Sequence, residues 1–159
     1  MFNKGYKEGY ILISAIAVSN NFIRRGLAEK VEITPLKLQK LVYFLYKDYL
    51  QKTGIEIFSD NFETWKYGPV LTSIYAEFNS YGNRPITTYG QDSKGDVYVV
   101  EEKGTFKEVF DRVWSMYKDY SGMELSNLTH MPNTAWSKAN ANQRQYLDKE
   151  DIKNEETLK

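Results

Sequence analysis

His130 is the only histidine in a 159-residue chain that contains no cysteine, and Ser126 stands one helical turn before it. A histidine at that spacing can act as general base toward a serine, provided one helix carries both and a third group orients the ring. No motif around them supplies that third group, so the spacing favours a histidine packed at a helix C-terminus, bonding backbone carbonyls. Asp60 with Glu63, and Glu101 with Glu102, are the available carboxylate pairs. Glu101 and Glu102 point to opposite faces of an extended chain, and both pairs sit where solvated charges are expected. Without cysteine a metal would need carboxylates and carbonyls, and no loop has EF-hand spacing. Neither glycine-rich phosphate-binding pattern occurs. The chain therefore reads as a protein without catalytic residues, without a metal site and without a cofactor.

Recognition chemistry is better supplied. Aromatic residues make up 15% of the chain, and 13 of them are tyrosine, a residue enriched at binding hot spots. Tyr43 and Tyr46, one turn apart, and Arg24 with Arg25 are the candidate partner contacts. Trp65 and Tyr67, which alternate along a strand, are a second pair able to present a recognition surface, although Trp65 reads as core. The 21 basic and 21 acidic residues cancel, which removes a global field toward nucleic acid or anionic lipid. Nucleic-acid binding would need a local basic face, for which Arg24, Arg25, Lys30, Lys37, Lys40 and Lys47 are the candidates.

The elements that must position these residues follow from periodicity. Leu12, Ile16, Ile23 and Leu27, widened by Ile13 and Ala17, predict an amphipathic helix over about 8–29 with Asn20, Asn21, Arg24 and Arg25 on its polar face. Thr34-Pro35 reads as N-cap and first helical residue of a second helix, buried through Leu38, Leu41, Val42, Leu45 and Tyr49 and stopped by Gly54. "IEIF" and "NFETWKY" predict a hairpin turning at Ser59-Asp60-Asn61. A third helix is expected to start at Pro69, bury Val70, Ile74 and Phe78, and stop at Gly82. "DVYVV" is the one convincing strand of the loop region that follows.

Thr105 with Glu108, and Ser121 with Glu124, both fit the capping-box pattern. They predict a fourth helix with the stripe Phe106, Phe110, Val113, Trp114, Tyr117 and a short fifth over 122–129. Pro132 stops or redirects the chain and Trp136 anchors a further turn. Residues 148–159 form a tail too polar to bury much. The expected fold is α+β, mainly α-helical: one domain over 1–147, with about five to six helices and a small β-hairpin or short antiparallel sheet. "YILISAIAV" is too short for a signal-peptide core or a membrane span, which places the protein in the cytoplasm.

Three segments in order, "LKLQKLVYF" at 36–44, "FETWKYGPVLTSIY" at 62–75 and "LSNLTHMPNTAW" at 125–136, together resemble the Panacea domain, the family of SocA-like antitoxins and phage-associated proteins. The resemblance runs over roughly 13–139. Its motif residues are Leu38, Lys40, Leu41, Tyr43, Trp65, Tyr67, Gly68, Pro69, Val70, Tyr75, Thr129, His130 and Trp136, which hold the fold while variable surface selects the partner. Thr64 departs from the family's alanine, small residue for small residue. The resemblance implies the antitoxin of a toxin–antitoxin pair, neutralising a cognate protein toxin by direct binding, with some members linked to delivering the toxin to a protease. The alternatives are a phage-encoded regulator that binds a host protein and a nucleic-acid-binding module.

Overall fold

The computed structural model describes residues 13–156 together with the backbone of residues 3–4, 6–7 and 10–11. Three short strands come first: β1 (Asn3–Lys4), β2 (Tyr6–Lys7) and β3 (Tyr10–Ile11), with β2 and β3 paired antiparallel. The first helix, α1, is Ala15–Glu29, so the helix expected from residue 8 begins later. Ser14 is its N-cap and accepts from the Ala17 amide at 3.0 Å. Leu12 lies outside the described residues.

The buried face of α1 also differs from the expected one. Leu27 is 46% exposed, whereas Asn20 and Asn21 are fully buried. Asn20 accepts from the Gly90 amide and donates to the carbonyls of Gly90 and Tyr98. Asn21 bonds both the amide and the carbonyl of Val100. These two side chains serve as ladder partners for a segment that has few of its own, so their burial leaves no polar atom unmet.

Thr34 and Pro35 open α2 (Pro35–Thr53) as expected, and Gly54 closes it in the left-handed conformation at φ 73°. This helix is central. Leu38, Leu41, Val42 and Leu45 are buried, and so are Lys37, Gln39, Lys40 and Lys47 on its other faces. A helix enclosed all round loses the polar stripe by which a surface helix is recognised.

The hairpin is displaced from its expected place. "IEIF" forms no strand; Ile57 and Phe58 are buried without a ladder. The strands are β4 (Glu63–Trp65) and β5 (Gly68–Val70), antiparallel in the register Glu63↔Val70, Thr64↔Pro69, Trp65↔Gly68, with Lys66-Tyr67 at the turn. Pro69 therefore belongs to a strand rather than to a helix N-terminus. Its carbonyl faces away from β4 toward α2, and on that outer edge the missing N–H costs no ladder bond. Helix α3 (Thr72–Phe78) starts three residues later, buries Ile74 and Phe78, and continues as a 3₁₀ turn, Asn79–Tyr81, to Gly82 at φ 60°.

Within "DVYVV", β6 (Tyr98–Val99) pairs parallel with β1. Helix α4 (Gly104–Tyr117) buries its full predicted stripe, but the first capping box does not form. The helix starts a residue early, which moves Thr105 inside it, and Glu108 pairs with Lys52. Ser121 and Glu124 do form theirs and open α5 (Gly122–Thr129). Two more helices follow, α6 (Ala135–Ala141) and α7 (Lys149–Asn154), making seven among the described residues rather than five or six. Part of the tail expected to stay unburied is therefore packed: Ile152 is 1% exposed and Glu155 6%. The architecture is α+β and mainly helical. Among the described residues no helix is long and apolar enough to cross a membrane.

Candidate functional site

The β4–β5 hairpin is held from below by side chains of three helices. Because strand residues alternate, Tyr67, Pro69 and Leu71 present their backbone polar groups on one edge. Each is taken by a side chain. Ser126 of α5 donates to the Tyr67 carbonyl at 2.6 Å, and Lys40 of α2 to the Pro69 carbonyl at 2.9 Å. Gln39 both donates to and accepts from Leu71, at 3.0 Å each way. On the opposite edge β4 meets residues 145–147 through Thr64 N–H to the Gln145 carbonyl and Leu147 N–H to the Phe62 carbonyl. The hairpin has no open edge left.

Gly68 marks the closest approach. A Cβ there would lie 2.6 Å from Thr129 Oγ1 and 2.8 Å from Lys40 Cε, at a backbone φ of 110°. Below it Thr129 donates to the Ser126 carbonyl and Thr134 to the Thr129 carbonyl. Trp136 donates from Nε1 to the Trp65 carbonyl at 2.8 Å and stacks on His130 at 3.8 Å between ring centroids. Burial pushes Lys40 down to about 7 and also lowers His130, which is held further down by the Lys40 charge.

This arrangement contains no serine–histidine pair. The Ser126 hydroxyl is directed at Tyr67, and His130 Nε2 is buried with no hydrogen-bond partner, so the ring stacks rather than bonding carbonyls through that nitrogen. The carboxylates do structural work as well. Glu63 accepts from Trp65 Nε1, Asp60 accepts from Ser73, and Glu102 receives both Arg24 and Arg25, which hold it below the usual carboxylate value.

The candidate partner contacts named from the sequence lie elsewhere. Tyr43 and Tyr46 are fully buried, packed edge-on against Phe62 at 5.1 Å each. The Tyr43 hydroxyl donates to Glu155 and that of Tyr46 to Glu56. Arg25 is paired with Glu102 and Asp111, and Arg24 with Glu102. Lys37, Lys40 and Lys47 are buried, so the six cations considered for nucleic acid form no basic face. Leu38 and Leu41 fill the core around the remaining motif residues.

A surface that the sequence pointed to only through Trp65 and Tyr67 lies above the corner. Trp65 is half-buried rather than core, and its ring meets Tyr75 at 4.8 Å. Tyr67 and Tyr75 are each 47% exposed. With Leu36, Val70 and Ile74 they wall a groove of about 440 Å³, within the range of about 300–1,000 Å³ usual for ligand sites. The signal available in the sequence was Tyr75 itself, set off the buried Ile74–Phe78 face of α3. Among the described residues no three His, Asp or Glu side chains converge as a metal site.

No solved structure matches this chain. Antitoxin SocA of Caulobacter vibrioides is 35% identical to it over 74 residues, which is 46% of this chain and 39% of that relative, so the match spans well under half of the relative's length. The family model described as "Antitoxin SocA-like, Panacea domain" matches residues 38–137, the span that contains most of α2, the hairpin corner, α5 and Trp136, and the chain belongs to that family.

Proposed function

We propose that this chain is the antitoxin of a toxin–antitoxin pair and that it neutralises a cognate protein toxin in the cytoplasm by direct binding, without catalysis. Family membership and the similarity to Antitoxin SocA support the role. The observation that carries the mode of action is the aromatic groove at the hairpin corner, where two tyrosines stand about half exposed on a hairpin whose strand edges are bonded to the helices and to residues 145–147. Large rigid aromatics with few rotatable bonds supply contact area at low entropic cost. A standard interface of about 1,600 Å² centred there would reach well beyond the groove, engaging the motif residues Trp65, Tyr67 and Tyr75 that wall it while Lys40, Gly68 and Thr129 stay buried beneath. Handing the bound toxin to a protease would use the same contact.

The test is to express the product of the adjacent reading frame with and without this chain. Growth arrest by the neighbour alone, relieved by this chain and accompanied by co-purification of the two proteins, is the expected result. A harmless neighbour, or one that arrests growth regardless and does not bind, refutes the antitoxin role.

A further inference from the structure

The groove has a composition that specifies more than apolarity. Trp65, Tyr67, Tyr75, Ile74 and Leu36 make its walls, and Lys66 is the single charged residue among those lining it. Of the polar residues that also line it, Gln39, Asn79 and Asn83, Gln39 commits its amide to the Leu71 backbone. Lys66 is exposed, and its Nζ lies 5.4 Å from the centre of the Tyr67 ring. Among the described residues no carboxylate pairs with it, whereas Arg25, Lys47, Lys52, Lys107 and Lys149 all have one.

The hydrogen bonding of the hairpin also limits how a partner binds. The outer edge of β5 is closed by Ser126, Lys40 and Gln39, and β4 is closed by residues 145–147. A partner cannot add a strand here, because main-chain pairing needs free N–H and C=O groups. Recognition must come from a side chain inserted between the aromatic walls, the arrangement in which hot-spot residues occur.

We propose that the groove receives a large apolar side chain of the partner protein with a carboxylate beside it, the apolar group lying between Trp65, Tyr67 and Tyr75 and the carboxylate pairing with Lys66. The inference rests on the antitoxin role for the identity of that partner as a toxin. The pairing of an uncompensated cation with an apolar slot selects against basic flanking residues as well as for acidic ones.

The probe is a library of random short peptides displayed on phage and selected against the immobilised full chain, followed by fluorescence anisotropy with a labelled peptide of the enriched sequence. Enriched peptides should place Phe, Leu or Trp next to Asp or Glu. Tyr75→Ala should weaken binding by about thirtyfold, the loss usual for a hot-spot aromatic, at an unchanged melting temperature. Lys66→Glu should shift the selected flanks from acidic to basic, and Lys94→Glu, which does not line the groove, should change neither. An absence of enrichment, basic flanks on the wild-type protein, or full affinity in Tyr75→Ala overturns the proposal. So does a wild-type dimer in light scattering that Tyr75→Ala dissociates, since the groove would then be occupied by a second copy. Failure of the growth-rescue experiment would remove the toxin as partner and leave the peptide result standing.

Discussion

Lys40 Nζ donates to the Pro69 carbonyl at 2.9 Å from a side chain with no solvent exposure and, among the described residues, no carboxylate partner. A lysine in that position joins the central helix to the hairpin at the cost of its own charge, because burial disfavours the ammonium. The proton equilibrium of one side chain is thus tied to the corner on which the groove is built.

Stability should depend on pH through this residue. Burial places its folded-state value at about 7 against the ordinary 10.5. Between those values the unfolded chain binds the proton more fully than the folded one, so raising the pH stabilises the fold. Below about 7 both states carry the proton and the penalty is fully in place. Relative to Lys40→Met, the wild type should gain up to about 1.4 kcal/mol per pH unit across that window, read from urea denaturation at a series of pH values. Parallel curves for the two proteins would show that Lys40 keeps an ordinary value.

Gly68 should be intolerant of a side chain in a way that other left-handed glycines are not. At Gly68→Ala a Cβ meets Thr129 Oγ1 at 2.6 Å and Lys40 Cε at 2.8 Å, with φ at 110°. Backbone strain and overpacking add, for a loss of about 3 kcal/mol or more. Gly54→Ala, at φ 73° with nothing within 4 Å, should lose only about 1 kcal/mol. Thermal melts of the two variants decide this, and equal losses would mean that close packing under the hairpin is not what requires glycine.

What the sequence made legible was local. Thr34-Pro35, Ser121 with Glu124, and the stripe from Phe106 to Tyr117 depend on residues within a turn or two of each other, and all three form. Asn20 and Asn21 looked like a solvated face because their partners, Gly90 and Val100, lie 70 and 79 residues away, and no local pattern encodes such a bond. Tyr43 and Tyr46 have the same spacing whether α2 shows a face to solvent or is enclosed, so periodicity could not distinguish a contact surface from core. Pro69 obeys a rule for helix starts and another for strand edges, and the bond from Lys40, 29 residues earlier, accompanies the second.

Helix α7 is anchored through the buried Glu155 at its C-cap, and removing that side chain should matter more than the helix's short length suggests. Glu155 accepts from the Tyr43 hydroxyl and the Ala135 amide at 2.8 Å each and from Lys47 at 3.3 Å. The Lys47 and Glu155 side chains are only 2% and 4% exposed. Glu155→Ala strands Lys47 in the interior, for an expected loss of about 3–5 kcal/mol. Lys47→Met combined with Glu155→Gln removes the stranded charge while leaving an acceptor for Tyr43 and Ala135, and should recover much of that loss. Denaturant midpoints of the two proteins test it; a double variant no more stable than Glu155→Ala would show that the stranded Lys47 charge is not what the loss comes from.

Trp65 separates a structural role for the corner from a recognition role. Its carbonyl, which Trp136 binds at 2.8 Å, survives any substitution of the side chain. The indole is half-buried, resting on Tyr75 at 4.8 Å and donating to Glu63 at 3.0 Å. A tryptophan fully enclosed in a core would lose about 3–5 kcal/mol on truncation to alanine; Trp65→Ala, which opens the groove wall without leaving a closed cavity, should lose less than about 2 kcal/mol. The same variant removes one of the three aromatic walls, so toxin neutralisation should fail at wild-type protein abundance. Melting temperature, soluble yield and growth rescue measured together decide the matter. A large fall in melting temperature would return Trp65 to the core, and full rescue at normal stability would move the contact surface away from the groove.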